Sequence, residues 1–183
     1  MKILIFLAAV VIGACASTAL SDDKDAFDVP NGKFRTLASG ALAPNTLISC
    51  EVLVDKAYFG SKWIPSVSII FEGASEPVES SVNIKLSASR PDEGKNWRHE
   101  LVITDSKGRE SVVTAHTGLS DSVLPMNLLW DNDQYIVFYV GEVENMSMLD
   151  ISQHALATWR AVASGVKGSG DCDSRILRSD DPD

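Results

Sequence analysis

The chemistry to weigh first lies in LLWDNDQY (128–135), where Asp131 and Asp133 flank Asn132. Two carboxylates and an amide in three residues could hold a cation. They are also what a tight turn uses, because Asp and Asn side chains bond their own backbone and tolerate left-handed φ. Calcium takes about six to eight oxygens, more than this loop supplies. The stretch reads as a turn, with Asp131 and Asp133 as weak metal candidates. Glu142 with Glu144 reads as a solvated face, and neither that pair nor Glu51 with Asp55 makes a catalytic carboxylate set. His99, His116 and His154 fall on different elements, without the paired spacing that zinc favours. There is no G-x-S-x-G elbow for a nucleophilic serine. KGSGD (167–171) lacks the Lys-Ser/Thr tail and the helix of a phosphate loop. Nothing in the sequence calls for a cofactor.

Aromatic residues remain. Trp63, Trp97, Trp130 and Trp159, with Tyr58, Phe59, Tyr135 and Tyr139, could pack a core or stack on a sugar, since such rings offer an apolar face beside a polar handle. Core packing is the ordinary reading. The exception is AYFGSKW (57–63), an aromatic and basic loop between two strands, where binding residues are commonly placed. Tyr58, Phe59, Lys62 and Trp63 are the ligand-binding candidates.

These residues must be positioned by a body that begins after an export signal. Lys2, the apolar run Ile3 to Ala14 and the small residues after it have the layout of a secretory signal peptide, assigned to 1–19. The apolar run is shorter than the about 20 residues a membrane-spanning helix needs. Ile12-Gly13-Ala14-Cys15 has the form of a bacterial lipobox, which makes Cys15 a lipidation candidate; Ser17-Thr18-Ala19 suits ordinary signal peptidase equally well. Lipidation at Cys15, followed by Ala16, would place the protein at the outer membrane of a Gram-negative source; otherwise the periplasm or the extracellular space is expected. Either way Cys50 and Cys172 remain, and two cysteines in an exported domain are expected to form a disulfide, the alternative being two buried thiols. Asn145-Met146-Ser147 is a glycosylation acceptor if the source is eukaryotic.

The full chain has 16 basic and 25 acidic residues, a formal charge of −9; without Lys2 it is −10. That balance excludes nucleic acid as a partner, since phosphates demand Lys and Arg, and argues against electrostatic attraction to anionic lipid. A lipid anchor is then the one membrane link expected. Acidic residues crowd the two ends, giving an acidic linker over 20–32 and an acidic tail over 180–183.

Between them, 33–179 alternates with period two. Ile48, Cys50, Val52 and Val54 share one face of TLISCEVLVD; Val67, Ile69 and Phe71 share one face of SVSIIFE; Val82, Ile84, Leu86 and Ala88 share one face of SVNIKLSAS, with Asn83, Lys85 and Ser87 outside. WRHELVIT and RESVVTA flank the loop DSKG as a hairpin. SQHALATW (152–159) reads as a short helix-like segment or turn, and KGSGD as a hairpin loop before a last strand, CDSRILRS. About nine or ten short strands with regular turns predict an all-β, antiparallel sandwich.

The succession W-I-P-S-V-S-I-I-F, W-R-H-E-L and N-L-L-W-D-N-D-Q-Y-I-V-F-Y-V-G-E resembles the jelly-roll β-sandwiches of the concanavalin A-like superfamily, over about 33–179. That resemblance implies first and last strands side by side, which would bring Cys50 to Cys172. It also implies either a carbohydrate-binding or a glycosidase role. The glucanases of this fold carry E-x-D-x-x-E on one strand, and this sequence has no such run. The resulting expectation is an exported, non-catalytic protein that binds carbohydrate or another cell-envelope component, such as an envelope protein. The alternatives are an accessory envelope lipoprotein within a larger assembly and a glycoside hydrolase with acids drawn from separate strands.

Overall fold

The computed structural model describes residues 25–60, 62–73, 82–93, 95–119, 123–131, 134–140, 147–151 and 156–177. Every regular element among them is a strand: β1 Asp25–Asp28, β2 Phe34–Ala41, β3 Thr46–Ala57, β4 Ser66–Gly73, β5 Asn83–Ser89, β6 Trp97–Thr104, β7 Glu110–Leu119, β8 Val123–Asp131, β9 Tyr135–Val140, β10 Ser147–Asp150, β11 Leu156–Ser164 and β12 Val166–Ile176. They form two antiparallel sheets of six, in the orders β1-β12-β3-β8-β9-β10 and β2-β11-β4-β5-β6-β7. Consecutive strands repeatedly cross from one sheet to the other, which makes the body a jelly-roll sandwich.

The alternating pattern decides which face turns inward. Ile48, Val52, Leu124, Met126, Leu128, Ile136 and Phe138 from the first sheet meet Val67, Ile69, Phe71, Ile84, Leu86 and Leu101 from the second, all buried in one core. Trp97, Trp130 and Trp159 belong to that core, as period two expects. Ser87 does not stay outside. It is buried on the outer face of β5, where its hydroxyl pairs with that of Ser68 at 2.9 Å.

Cys50 and Cys172 are direct cross-strand partners in the β3–β12 ladder and are joined by a disulfide. The first and last strands do lie side by side, β1 on β12, but the disulfide joins β12 to its other neighbour, β3. The DSKG hairpin forms between β6 and β7: Gly108 has φ +75°, its N–H donates to Asp105 O at 2.9 Å, and Asp105 accepts from Arg109.

Three local expectations are corrected. The linker assigned to 20–32 includes β1, whose residues 25–28 pair with 167–170 of β12. The segment 152–159 is not helix-like where it is described, because Leu156 begins β11; Ala161 and Ala163 alternate into the core and hold it as strand. KGSGD is not a loop. It lies inside β12, and the reversal occurs one step earlier at Gly165, φ +63°. Gly168 serves close approach instead: a Cβ there would run into the Leu53 carbonyl of β3.

Candidate functional site

The β3–β4 loop, residues 58–65, is held from three directions at one end of the sandwich. Its first residue is tied to the β11–β12 turn by Tyr58 N–H donating to Gly165 O at 2.7 Å. Asn31 lies in the β1–β2 turn, where the Lys33 N–H donates to Pro30 O at 3.0 Å. From there the Asn31 side-chain amide donates to Tyr58 O at 2.7 Å and to Trp63 O at 3.0 Å. One amide thus closes both ends of the loop. A Cβ on Gly60 would collide with Asn31 Oδ1, so a larger residue there would have to displace the Asn31 amide.

The β5–β6 loop, residues 90–96, is braced beside it. Arg90 N–H donates to Pro65 O at 3.0 Å, its Nε donates to Lys95 O and its Nη2 to Glu93 O, each at 2.8 Å. The same guanidinium sits 5.9 Å from the Phe59 ring centroid, and the Lys95 ammonium pairs with Asp92 at 3.0 Å. Between the two loops lies an open depression of about 630 Å³ lined by Phe59, Gly60, Pro91, Asp92 and Glu93. Its two walls come from loops 58–65 and 90–96, and Arg90 of the second loop is tied to Pro65 and Phe59 of the first.

The four ligand-binding candidates therefore separate. Phe59 lines the depression. Tyr58 turns the other way: its hydroxyl donates to Asp28 at 2.9 Å, under the Lys56 ammonium 4.9 Å from its ring. The hydrogen bond to the Asp28 carboxylate, aided by desolvation and by the same negative charge, raises the Tyr58 pKa above its ordinary value. Trp63 faces the β1–β2 turn, with Cδ1 3.2 Å from where a Gly32 Cβ would stand, and the Lys62 ammonium lies 5.5 Å over its ring. Trp63 is 53 % exposed, in contrast to the three core tryptophans. Sequence reasoning missed Asn31, Arg90, Asp92 and Glu93. The Pro-Asn-Gly signal marks a turn, but nothing in it says which carbonyls its amide will reach.

Asp131 ends β8 and its carbonyl accepts from Gln134 N–H at 3.0 Å, the bond of a turn; Asp133 lies outside the described residues, as do Cys15, His154, Glu142, Glu144 and the signal segment 1–19. Among the described residues no three His, Cys, Asp or Glu side chains are grouped to hold a metal ion.

No protein-family model matches the chain, and no curated protein sequence matches it. Solved structures similar to it include CG-16, a homodimeric agglutinin from chicken liver, at 8 % identity, 78 % of this chain, 100 % of that chain and TM-score 0.49. A toad ovary galectin in complex with thio-digalactose gives 5 %, 78 %, 98 % and 0.49. An alginate lyase from Pseudomonas aeruginosa gives 8 %, 73 %, 65 % and 0.49. The likeness is one of strand arrangement.

Proposed function

We propose that the protein is an exported, non-catalytic β-sandwich that binds a neutral or amino-substituted saccharide in the depression beside Phe59. The observation that carries this reading is the pairing of an aromatic side chain with an acidic loop, 91–93, in an open cleft whose walls are braced by Asn31 and Arg90. Saccharide sites combine an apolar ring contact with a few placed polar groups. Phe59 supplies the first, and the carboxylates of Asp92 and Glu93 accept hydrogen bonds from hydroxyl or ammonium groups. Two carboxylates on the rim disfavour uronic and phosphorylated sugars. The Cys50–Cys172 disulfide supports an oxidising, exported compartment.

Glycoside hydrolysis needs two carboxyl groups flanking one bond. Asp92 and Glu93 both belong to one wall of the depression, opposite Phe59 and Gly60, instead of standing on its two sides, which favours the binding reading over the hydrolytic one. The test is a glycan array followed by calorimetry on each hit. Phe59→Ala and the double variant Asp92→Asn/Glu93→Gln each weaken binding at least about tenfold, the scale of one or two lost contacts, while Trp63→Ala leaves it unchanged. A blank array, or a Phe59→Ala variant that binds as well as the parent, overturns the proposal.

A further inference from the structure

The corner beside this depression is a second surface with different chemistry. Phe34, Trp63 and Ile64 are 73 %, 53 % and 53 % exposed, large apolar side chains that folding leaves in water. The fold gathers them. Trp63 packs on Gly32, two residues before Phe34. Phe34 is the register partner of Ser164, and Ser164 of Ser66, two residues after Ile64.

Basic residues adjoin them: Lys33 precedes Phe34, and Lys62 lies over Trp63, whereas Arg35 takes the opposite face of β2 and donates to Ala26 O at 3.3 Å. Among the described residues no carboxylate forms an ion pair with Lys33 or Lys62. In the first sheet Lys56 of β3 and Lys167 of β12 are register partners, with Asp28 3.9 Å from Lys167 and accepting from Tyr58. A chain of formal charge −9 has therefore concentrated positive charge around its most exposed aromatic pair. The negative sum hides a local reversal of sign.

We propose that this corner seats the protein on an anionic lipid bilayer. Phe34, Trp63 and Ile64 enter the boundary between headgroups and acyl chains, where aromatic side chains gather. Lys33 and Lys62 meet the headgroup phosphates while their aliphatic stems lie along the apolar surface. Each cation near such a surface raises partitioning about fivefold. The Asn31 clamp already holds Trp63, so little ordering remains to be done on contact. The Lys33 and Lys62 ammonium groups complement anionic headgroups, a counter-charge that a neutral sugar would not supply. The depression and this corner share no residue, so the two proposals stand or fall separately.

The test uses the full chain carrying Cys15→Ser, which removes lipidation as a route to the membrane. It is sedimented with vesicles of phosphatidylcholine alone or mixed with phosphatidylglycerol. Trp97, Trp130 and Trp159 are buried, so a change in tryptophan emission reports Trp63. Binding to the mixed vesicles with a blue shift, weakened by salt, is expected. Lys33→Glu/Lys62→Glu and Phe34→Ser/Ile64→Ser each lower the bound fraction at least about tenfold, two fivefold steps for the first pair. Their exposed positions leave the fold intact, which thermal melting checks. No binding, equal binding to both vesicle types, or binding untouched by these variants overturns the proposal. So does self-association that the Phe34→Ser/Ile64→Ser variant abolishes, which assigns the corner to a second copy. Glycan binding lost in that variant without any vesicle binding assigns it to sugar.

Discussion

Asn31 offers the sharpest test of how the site is held. Its amide donates to two carbonyls five residues apart, at 2.7 and 3.0 Å, and the loop between them carries Phe59 on one wall and Trp63 on the other. An intramolecular hydrogen bond contributes about 1 kcal/mol net, so Asn31→Ala costs about 2 kcal/mol from these two bonds. For a domain of this size each kcal/mol lowers the melting temperature by about 2–4 °C, so the expected fall is about 4–8 °C. Asn31→Asp is the harsher change despite its identical shape. A carboxylate has no N–H to give, and its oxygens would face the oxygens of Tyr58 and Trp63. The loop must then open, since Gly60 packs against the same side chain. Thermal melting followed by circular dichroism measures the first effect. Hydrogen exchange measures the second through the Tyr58 amide, which is protected in the parent by Gly165 O. An Asn31→Asp variant that melts with the parent and protects that amide equally would falsify the clamp.

Two further outcomes follow from the same geometry. The Cys50–Cys172 disulfide joins residues 122 apart in sequence, and replacing both by Ala should cost up to about 5 kcal/mol by loop closure, read from denaturant midpoints; a loss below about 1 kcal/mol contradicts that account. Tyr58 gains a carboxylate partner on folding, so its folded pKa lies above its unfolded value of 10.0. The stability this adds is present in full below that value and lost as pH rises through the folded pKa. Absorbance titration should show one of the three tyrosines ionising late, and Asp28→Asn should remove the delay; a curve that Asp28→Asn leaves unchanged contradicts the bond.

Much of the body was legible because its information is periodic. β3, β4, β5 and β8 each repeat an apolar residue every second position, and those residues are the ones that meet in the core. The edges were harder. β2 reads FRTLASGA, with no alternation to mark it, and it is a strand because β11 pairs along its length. β1 has four residues, two of them acidic, and only Phe27 is buried. Glycine misled most. In KGSGD it signals a turn to any local reading, yet Gly168 and Gly170 are there because β3 passes too close for a side chain, a fact about a partner more than a hundred residues away.

The same limit explains why the site itself was half seen. AYFGSKW is visibly an aromatic loop, but the directions its rings take depend on what each meets. Phe59 meets Arg90, Tyr58 meets Asp28, and Trp63 meets Gly32, three partners from three separate segments. Net charge fails for a related reason. It sums over the surface, whereas binding depends on the field at one place, and exposed charges more than about 10 Å apart are largely screened from one another. An acidic protein can therefore present a basic corner, and Lys33 and Lys62 come to one place only once β2, β11 and β4 lie side by side. The two walls of one loop then face different chemistries, with carboxylates beside Phe59 and ammonium groups beside Trp63. If both proposals hold, one short loop, closed at its two ends by the Asn31 amide, would hold a sugar on one side and rest on a membrane with the other.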